Sequence, residues 1–143
     1  MKFLSILICW CFLQSSFAAT YYISPTGNDD SGNGSISKPW RTLFKATSVV
    51  TTAGDIIHVH EGMYTETQQI VLAVGVSIEG EGITSVIKST LTSDWTALLL
   101  LQSPEGTPGN QHISFLKFDG QNGSTYWAIY VAGRSNVSIN NCT

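Results

Sequence analysis

A chain of 143 residues is long enough for one domain with a modest core. Its formal charge of -3, with acids and bases scattered along the chain, leaves no basic footprint and argues against a nucleic-acid partner. Only 12% of the residues are charged, and the apolar ones are rich in Ile, Val and Leu beside abundant Gly, Asn, Ser and Thr, a composition that favours strands and turns.

The chain opens with a targeting pattern: Lys2 gives a positive start, Phe3 to Leu13 an apolar run, and Ser16-Phe17-Ala18 the small-x-small pattern that signal peptidase reads. Residues 1–18 are therefore expected to be a signal peptide, and residues 19–143 a secreted, extracellular or periplasmic domain. The apolar run is shorter than the roughly 20 residues of a spanning helix, so no membrane partner is expected after cleavage. Cys9 and Cys11 leave with the signal, and neither follows a Leu-small-small pattern that would direct lipidation. Cys142 remains, as a small core residue or with a partner outside the chain.

After the cut, Tyr21 to Ser24 reads as a strand and Thr26 to Ser35 as a polar loop. Asn28-Asp29-Asp30 looks like the start of a calcium loop, but the twelfth position, where an EF-hand needs Glu, is Pro39, so a solvated turn is expected. Pro39 suits the first turn of a helix preceded by Ser37 or Lys38. Trp40, Leu43, Ala46 or Thr47, and Val50 then recur at helical spacing, giving a short amphipathic helix that covers the open end of a sheet.

From Asp55 onward strand and turn signals alternate: Ile56 to His60, Ile70 to Leu72, Val76 to Glu79, Val86 to Lys88, Ala97 to Leu101, His112 to Phe118, Ala128 to Val131 and Val137 to Asn140. Val76-Ser77-Ile78, Ile113-Ser114-Phe115 and Val137-Ser138-Ile139 share an apolar-Ser-apolar core at irregular intervals, a degenerate repeat. A β-sandwich alternates similarly. A right-handed parallel β-helix is preferred, because Ile113 to Gly120 places further apolar residues after the strand core, as a rung does at a corner. Asn140-Asn141 would form an asparagine-bearing turn. In this register Val76, Ile78, Ile113, Phe115, Val137 and Ile139 point inward, and Ser77, Glu79, Ser114, Lys117, Ser138 and Asn140 point outward.

Three segments together resemble a known family: Tyr21-Tyr22-Ile23-Ser24-Pro25-Thr26-Gly27-Asn28-Asp29, Ser37-Lys38-Pro39-Trp40-Arg41-Thr42-Leu43, and Ala53-Gly54-Asp55-Ile56-Ile57-His58-Val59-His60-Glu61-Gly62-Met63-Tyr64. Their order and spacing resemble the opening rungs of the pectate-lyase-like right-handed parallel β-helix superfamily, polysaccharide lyase family 9 and its relatives in particular. The resemblance implies an all-β solenoid with a short N-terminal capping helix, in which residues 19–143 are N-terminal rungs and the chain stops mid-rung, truncated at its C-terminus. It further implies β-elimination on an acidic polysaccharide lying on the outward face, by a protein that is monomeric at full length. The alternative is a non-catalytic β-helix scaffold for carbohydrate binding or adhesion.

No catalytic or metal-binding residue can be assigned from the sequence. Such lyases use clustered carboxylates to hold calcium and a Lys or Arg as base, and the resemblance places these on later rungs, so no cofactor is expected within this chain and calcium only in the full-length protein. Glu79, Glu81 and Asp119 are separate in sequence, and Lys117 reads as an exposed lysine rather than a base or sugar ligand. His58 and His60 share one face of a strand, as metal ligands would, but no third ligand lies nearby and His112 is alone, so a solvated outer face is expected. Asn33, Asn122, Asn136 and Asn141 begin glycosylation sequons.

Overall fold

The computed structural model describes residues 17–92, 95–120 and 127–143, so residues 1–16 of the expected signal and the sequon Asn122 lie outside the described residues. The described protein is an all-β fold of parallel sheets with one short helix. In chain order the elements are β1 (Thr20–Ile23), α1 (Leu43–Val49), β2 (Ile56–Val59), β3 (Gly62–Glu66), β4 (Ile70–Val71), β5 (Ser77–Gly80), β6 (Ser85–Ser89), β7 (Ala97–Ser114), β8 (Lys117–Asp119) and β9 (Trp127–Asn140). No helix among the described residues is long and apolar enough to cross a membrane.

One sheet runs β1-β2-β5-β7-β4, with β9 also paired to β7, and the other runs β3-β6-β8. Every ladder between these strands is parallel. The alternation of apolar and polar residues sets the register, because a slip of one residue would turn each apolar side chain to the wrong face. Tyr21, Ile57, Ile78, Ile113 and Ile139 consequently stand side by side across the larger sheet. Ile57, Ile78 and Ile113 are fully buried, and each contributes roughly 1.5–3 kcal/mol relative to exposure. Ile139 continues the column on β9 and is half-exposed. On the smaller sheet Tyr64, Ile87 and Phe118 form the matching column.

β7 is long because it runs past two neighbours, and β9 is long because it follows β7. The first part of β7 pairs with β4 through Leu99 and Leu100, and its last part pairs with β5 through Ile113 and Ser114. The β9 register shifts between Gln102 and Thr107 and again between Pro108 and Gln111. Left-handed residues mark these bends: Gly106 and Asn110 on β7, Gly133 and Asn136 on β9. The Asn136 side chain donates to Asn110 Oδ1 at 3.1 Å, stacking two asparagines here, and Asn141 at the end of β9 also turns through a left-handed φ of 53°. Beside them the Arg134 guanidinium donates to the carbonyls of Leu72 and Gln102 and to Gln111 Oε1, tying the turn after β4 to β7 and β9.

The helix covers the first strands, and Trp40, Leu43, Ala46, Thr47 and Val50 are buried as expected. It starts later than Pro39. Trp40 pairs with Ile23, its N–H going to Tyr22 and its carbonyl accepting from Ser24, so its backbone is already committed to an extended conformation. Thr42 becomes the N-cap, accepting the Lys45 N–H. Asn28-Asp29-Asp30 forms a turn whose Asp29 carboxylate accepts the N–H groups of Arg41 and Thr42 and the Thr42 hydroxyl. At the other end, Ala19, the residue after the expected cleavage point, donates its N–H to buried Asp55 at 3.0 Å and accepts from Ile56.

Two further expectations need correction. His112 to Phe118 is not one strand: Phe115 adopts a φ of 56°, which turns the chain between β7 and β8 and leaves its side chain half-exposed rather than inward. Leu116, next along, fills the core instead. The strand Gly62–Glu66 was not anticipated. It enters through Gly62 at φ 139°, where a Cβ would lie 2.2 Å from Pro25 Cγ.

Candidate functional site

The outer face of the larger sheet gathers three histidines and two glutamates. Val59, the last residue of β2, pairs with Gly80, the last of β5, so His60 and Glu81 leave the sheet as neighbours. Glu81 Oε1 lies 3.1 Å from His58 Nε2 and 2.9 Å from His60 Nδ1, while Oε2 accepts the Glu61 N–H at 2.8 Å. The nitrogens of His58 and His60 and the Glu81 oxygen all lie within 4.8 Å of one another. Tyr22, one strand further out, packs its ring against both imidazoles, with centroids 5.5 and 5.6 Å away.

The backbone under this group is fixed from several sides. The Tyr64 hydroxyl donates to the carbonyls of His60 and Ile23, and burial raises its pKa. Ser85 Oγ donates to Val59 and accepts the Glu81 N–H. Hydrogen bonds from His58 and His60, then the Glu61 N–H, hold the Glu81 carboxyl down at about 2, so it is a carboxylate at any physiological pH. Glu79 stands in register with His58 yet turns the other way, its Oε1 lying 2.6 Å from His112 Nε2.

A second feature lies where β4, the start of β7 and the start of β9 run side by side. Trp127 sits 6.4 Å from Trp95 and 5.4 Å from Tyr130, centroid to centroid. These rings, with Gln69, Thr96, Ala97, Leu100 and Gln102, line an open cleft of about 430 Å³. Gln69 is held in place by donating to the Ala97 carbonyl at 2.9 Å. Trp95 has a φ of 65°, a left-handed conformation costing roughly 1–2 kcal/mol in a bulky residue, and its side chain is 72% exposed.

A family model described as a protein of unknown function (DUF1565) matches residues 25–140. The chain belongs to the DUF1565 family. Neither a curated protein nor a solved structure matches it. Both the histidine face and the aromatic cleft fall within the matched DUF1565 region.

Of the residues weighed from the sequence, the fold brings together His58, His60 and Glu81, and separately Glu79 and His112. A third potential donor beside His58 and His60 is Glu81, far in sequence and adjacent across the parallel ladder. Lys117 and Asp119 lie on β8, in register with Val86 and Lys88 of the smaller sheet. Among the described residues, the one group of three or more His, Cys, Asp or Glu side chains close enough to share an ion is His58, His60 and Glu81. The Trp95, Trp127 and Tyr130 cluster leaves no mark in the sequence, since isolated aromatics in turn-rich sequence carry no periodic signal. Cys142 has a free thiol and packs against the core.

Proposed function

We propose that this DUF1565 protein is an exported right-handed parallel β-helix that binds polysaccharide. The family is often found in β-helix-like proteins. The parallel strands support the same reading: β7 continues past a bend from β4 to β5, and β9 follows it with bends of its own, as successive coils do on turning a corner.

The aromatic cleft carries the functional reading. A sugar ring presents C–H faces that stack on aromatic faces, and hydroxyls at its edge that bond to amides. Two tryptophans, a tyrosine and two glutamines around one open groove offer both. Exposed aromatics in a cluster mark binding surfaces rather than core. The lining residues carry no charge, which suits the uncharged face of a sugar chain. Lyase chemistry on an acidic polymer would need, beside such a cleft, clustered carboxylates, a cation and a base.

The test is affinity electrophoresis of the chain in gels containing polygalacturonate, alginate, a glycosaminoglycan, xylan or β-glucan. At least one polymer is expected to retard it, and Trp127→Ala or Tyr130→Ala to weaken that retardation at least about fivefold, given the roughly 1–3 kcal/mol each stacked ring contributes on other flat ligands. No retardation by any polymer, or retardation unchanged in both variants, would exclude the cleft as a sugar site.

A further inference from the structure

We infer that His58, His60 and Glu81 form a binding site for a divalent transition-metal ion of the zinc class, independent of the aromatic cleft. The donor set is two imidazole nitrogens and one carboxylate oxygen, the set found in zinc sites that keep an open position. Bonds of about 2.0–2.2 Å place tetrahedral ligands roughly 3.4 Å apart. Glu81 Oε1 is 3.1 and 2.9 Å from the two nitrogens, and all three donors lie within 4.8 Å. An ion entering between them displaces the protons now shared by nitrogen and oxygen, and the donors separate by less than about 1 Å to admit it.

Ordinary surface ion pairs explain this arrangement less well. Exposed pairs contribute little and leave their side chains mobile. Here one carboxylate oxygen faces both imidazoles while the other is held by the Glu61 N–H. The Tyr64 hydroxyl and Ser85 Oγ fix the His60 and Glu81 backbones, and the Tyr22 ring walls the histidines. Such supporting contacts orient ligands before the ion arrives. Two neutral imidazoles and one carboxylate leave a net charge of +1 on a bound divalent ion. The side chains are 25%, 32% and 36% exposed, so the remaining coordination positions face solvent, where water or an anionic oxygen completes the shell.

Isothermal titration of the metal-free chain with zinc chloride, and the visible spectrum of its cobalt(II) form, test the site. One equivalent of zinc is expected, with the intense d–d bands of low-coordinate cobalt. His60→Ala and Glu81→Gln should each lower zinc affinity by more than the ~10–100-fold that losing an outer-shell partner costs. His112→Ala, on the neighbouring strand, should leave it unchanged. Glu81→Gln preserves size while removing the charge and one acceptor oxygen, so it reports on ligation if His60→Ala folds poorly. Absence of zinc binding and cobalt bands in the unaltered chain overturns the inference, as does full affinity in Glu81→Gln or loss of binding in His112→Ala alone. None of these outcomes depends on whether the cleft binds sugar.

Discussion

Glu66 is an acid placed in the core. Its carboxylate, 2% exposed, accepts the N–H groups of Leu43 and Phe44 at 2.7 and 3.3 Å at the start of α1. Burial raises its pKa above the ordinary 4.5, with the nearby Asp29 charge acting in the same direction and the two backbone bonds opposing. A carboxyl with a raised folded-state pKa contributes stability that is full below its unfolded value and drains away as pH rises through the folded one. Glu66→Gln removes that titration and weakens one hydrogen bond. The unaltered chain should therefore exceed the variant by about 1 kcal/mol at the acid end, an advantage that shrinks toward neutral pH. Urea unfolding across a pH series measures it, and an advantage that grows with pH would contradict the assignment. Single residues were also where the sequence was least legible. His58 and His60 were visible as a pair on one strand face, but Glu81 joins them only through the β2–β5 register, which local alternation does not reveal.

At the scale of elements, helix α1 was legible from its buried positions and misjudged at its start. The spacing of Trp40, Leu43, Ala46 and Val50 identifies the covered face. The pairing of Trp40 with Ile23 is a long-range contact that outcompetes the helix-starting preference of Pro39. What starts the helix is a relay: Asp29 accepts from the Thr42 hydroxyl at 2.8 Å, and Thr42 accepts from the Lys45 N–H at 3.1 Å. Thr42→Ala should cost about 1 kcal/mol, within the usual range for an N-cap. Asp29→Ala should cost at least as much, since its bonds to the Arg41 and Thr42 N–H groups go too, and the double variant less than the sum, because the two share the bond at the Thr42 hydroxyl. Chemical denaturation of the three variants checks this, and strict additivity would mean that the two contacts act separately. Strand β3 was missed for a related reason. Met63 and Thr65 are exposed while Tyr64 and Glu66 are buried, so the period of two is present, but a glutamate on the inner face disguises it.

For the whole molecule, parallel strands from Asp55 onward were readable because β-branched alternation recurs between turn signals. The bends within β7 and β9 were not, since they depend on left-handed Asn and Gly residues that resemble ordinary loop composition. The two candidate surfaces lie on different parts of the larger sheet, so a sugar chain in the cleft and an ion at His58, His60 and Glu81 are separable by substitution. The parallel ladders also bear on how fast the protein forms. No described strand is hydrogen-bonded to its immediate successor through a hairpin, so each ladder must wait for an intervening excursion of chain to be laid down. Loop-closure entropy is thus lost before any pairing compensates it, and the folding nucleus is expected to be non-local. Refolding followed by tryptophan fluorescence should take about milliseconds to seconds or longer, as in other proteins dominated by distant contacts. A dominant phase of microseconds would mean that some locally closed unit, absent from these ladders, leads the way.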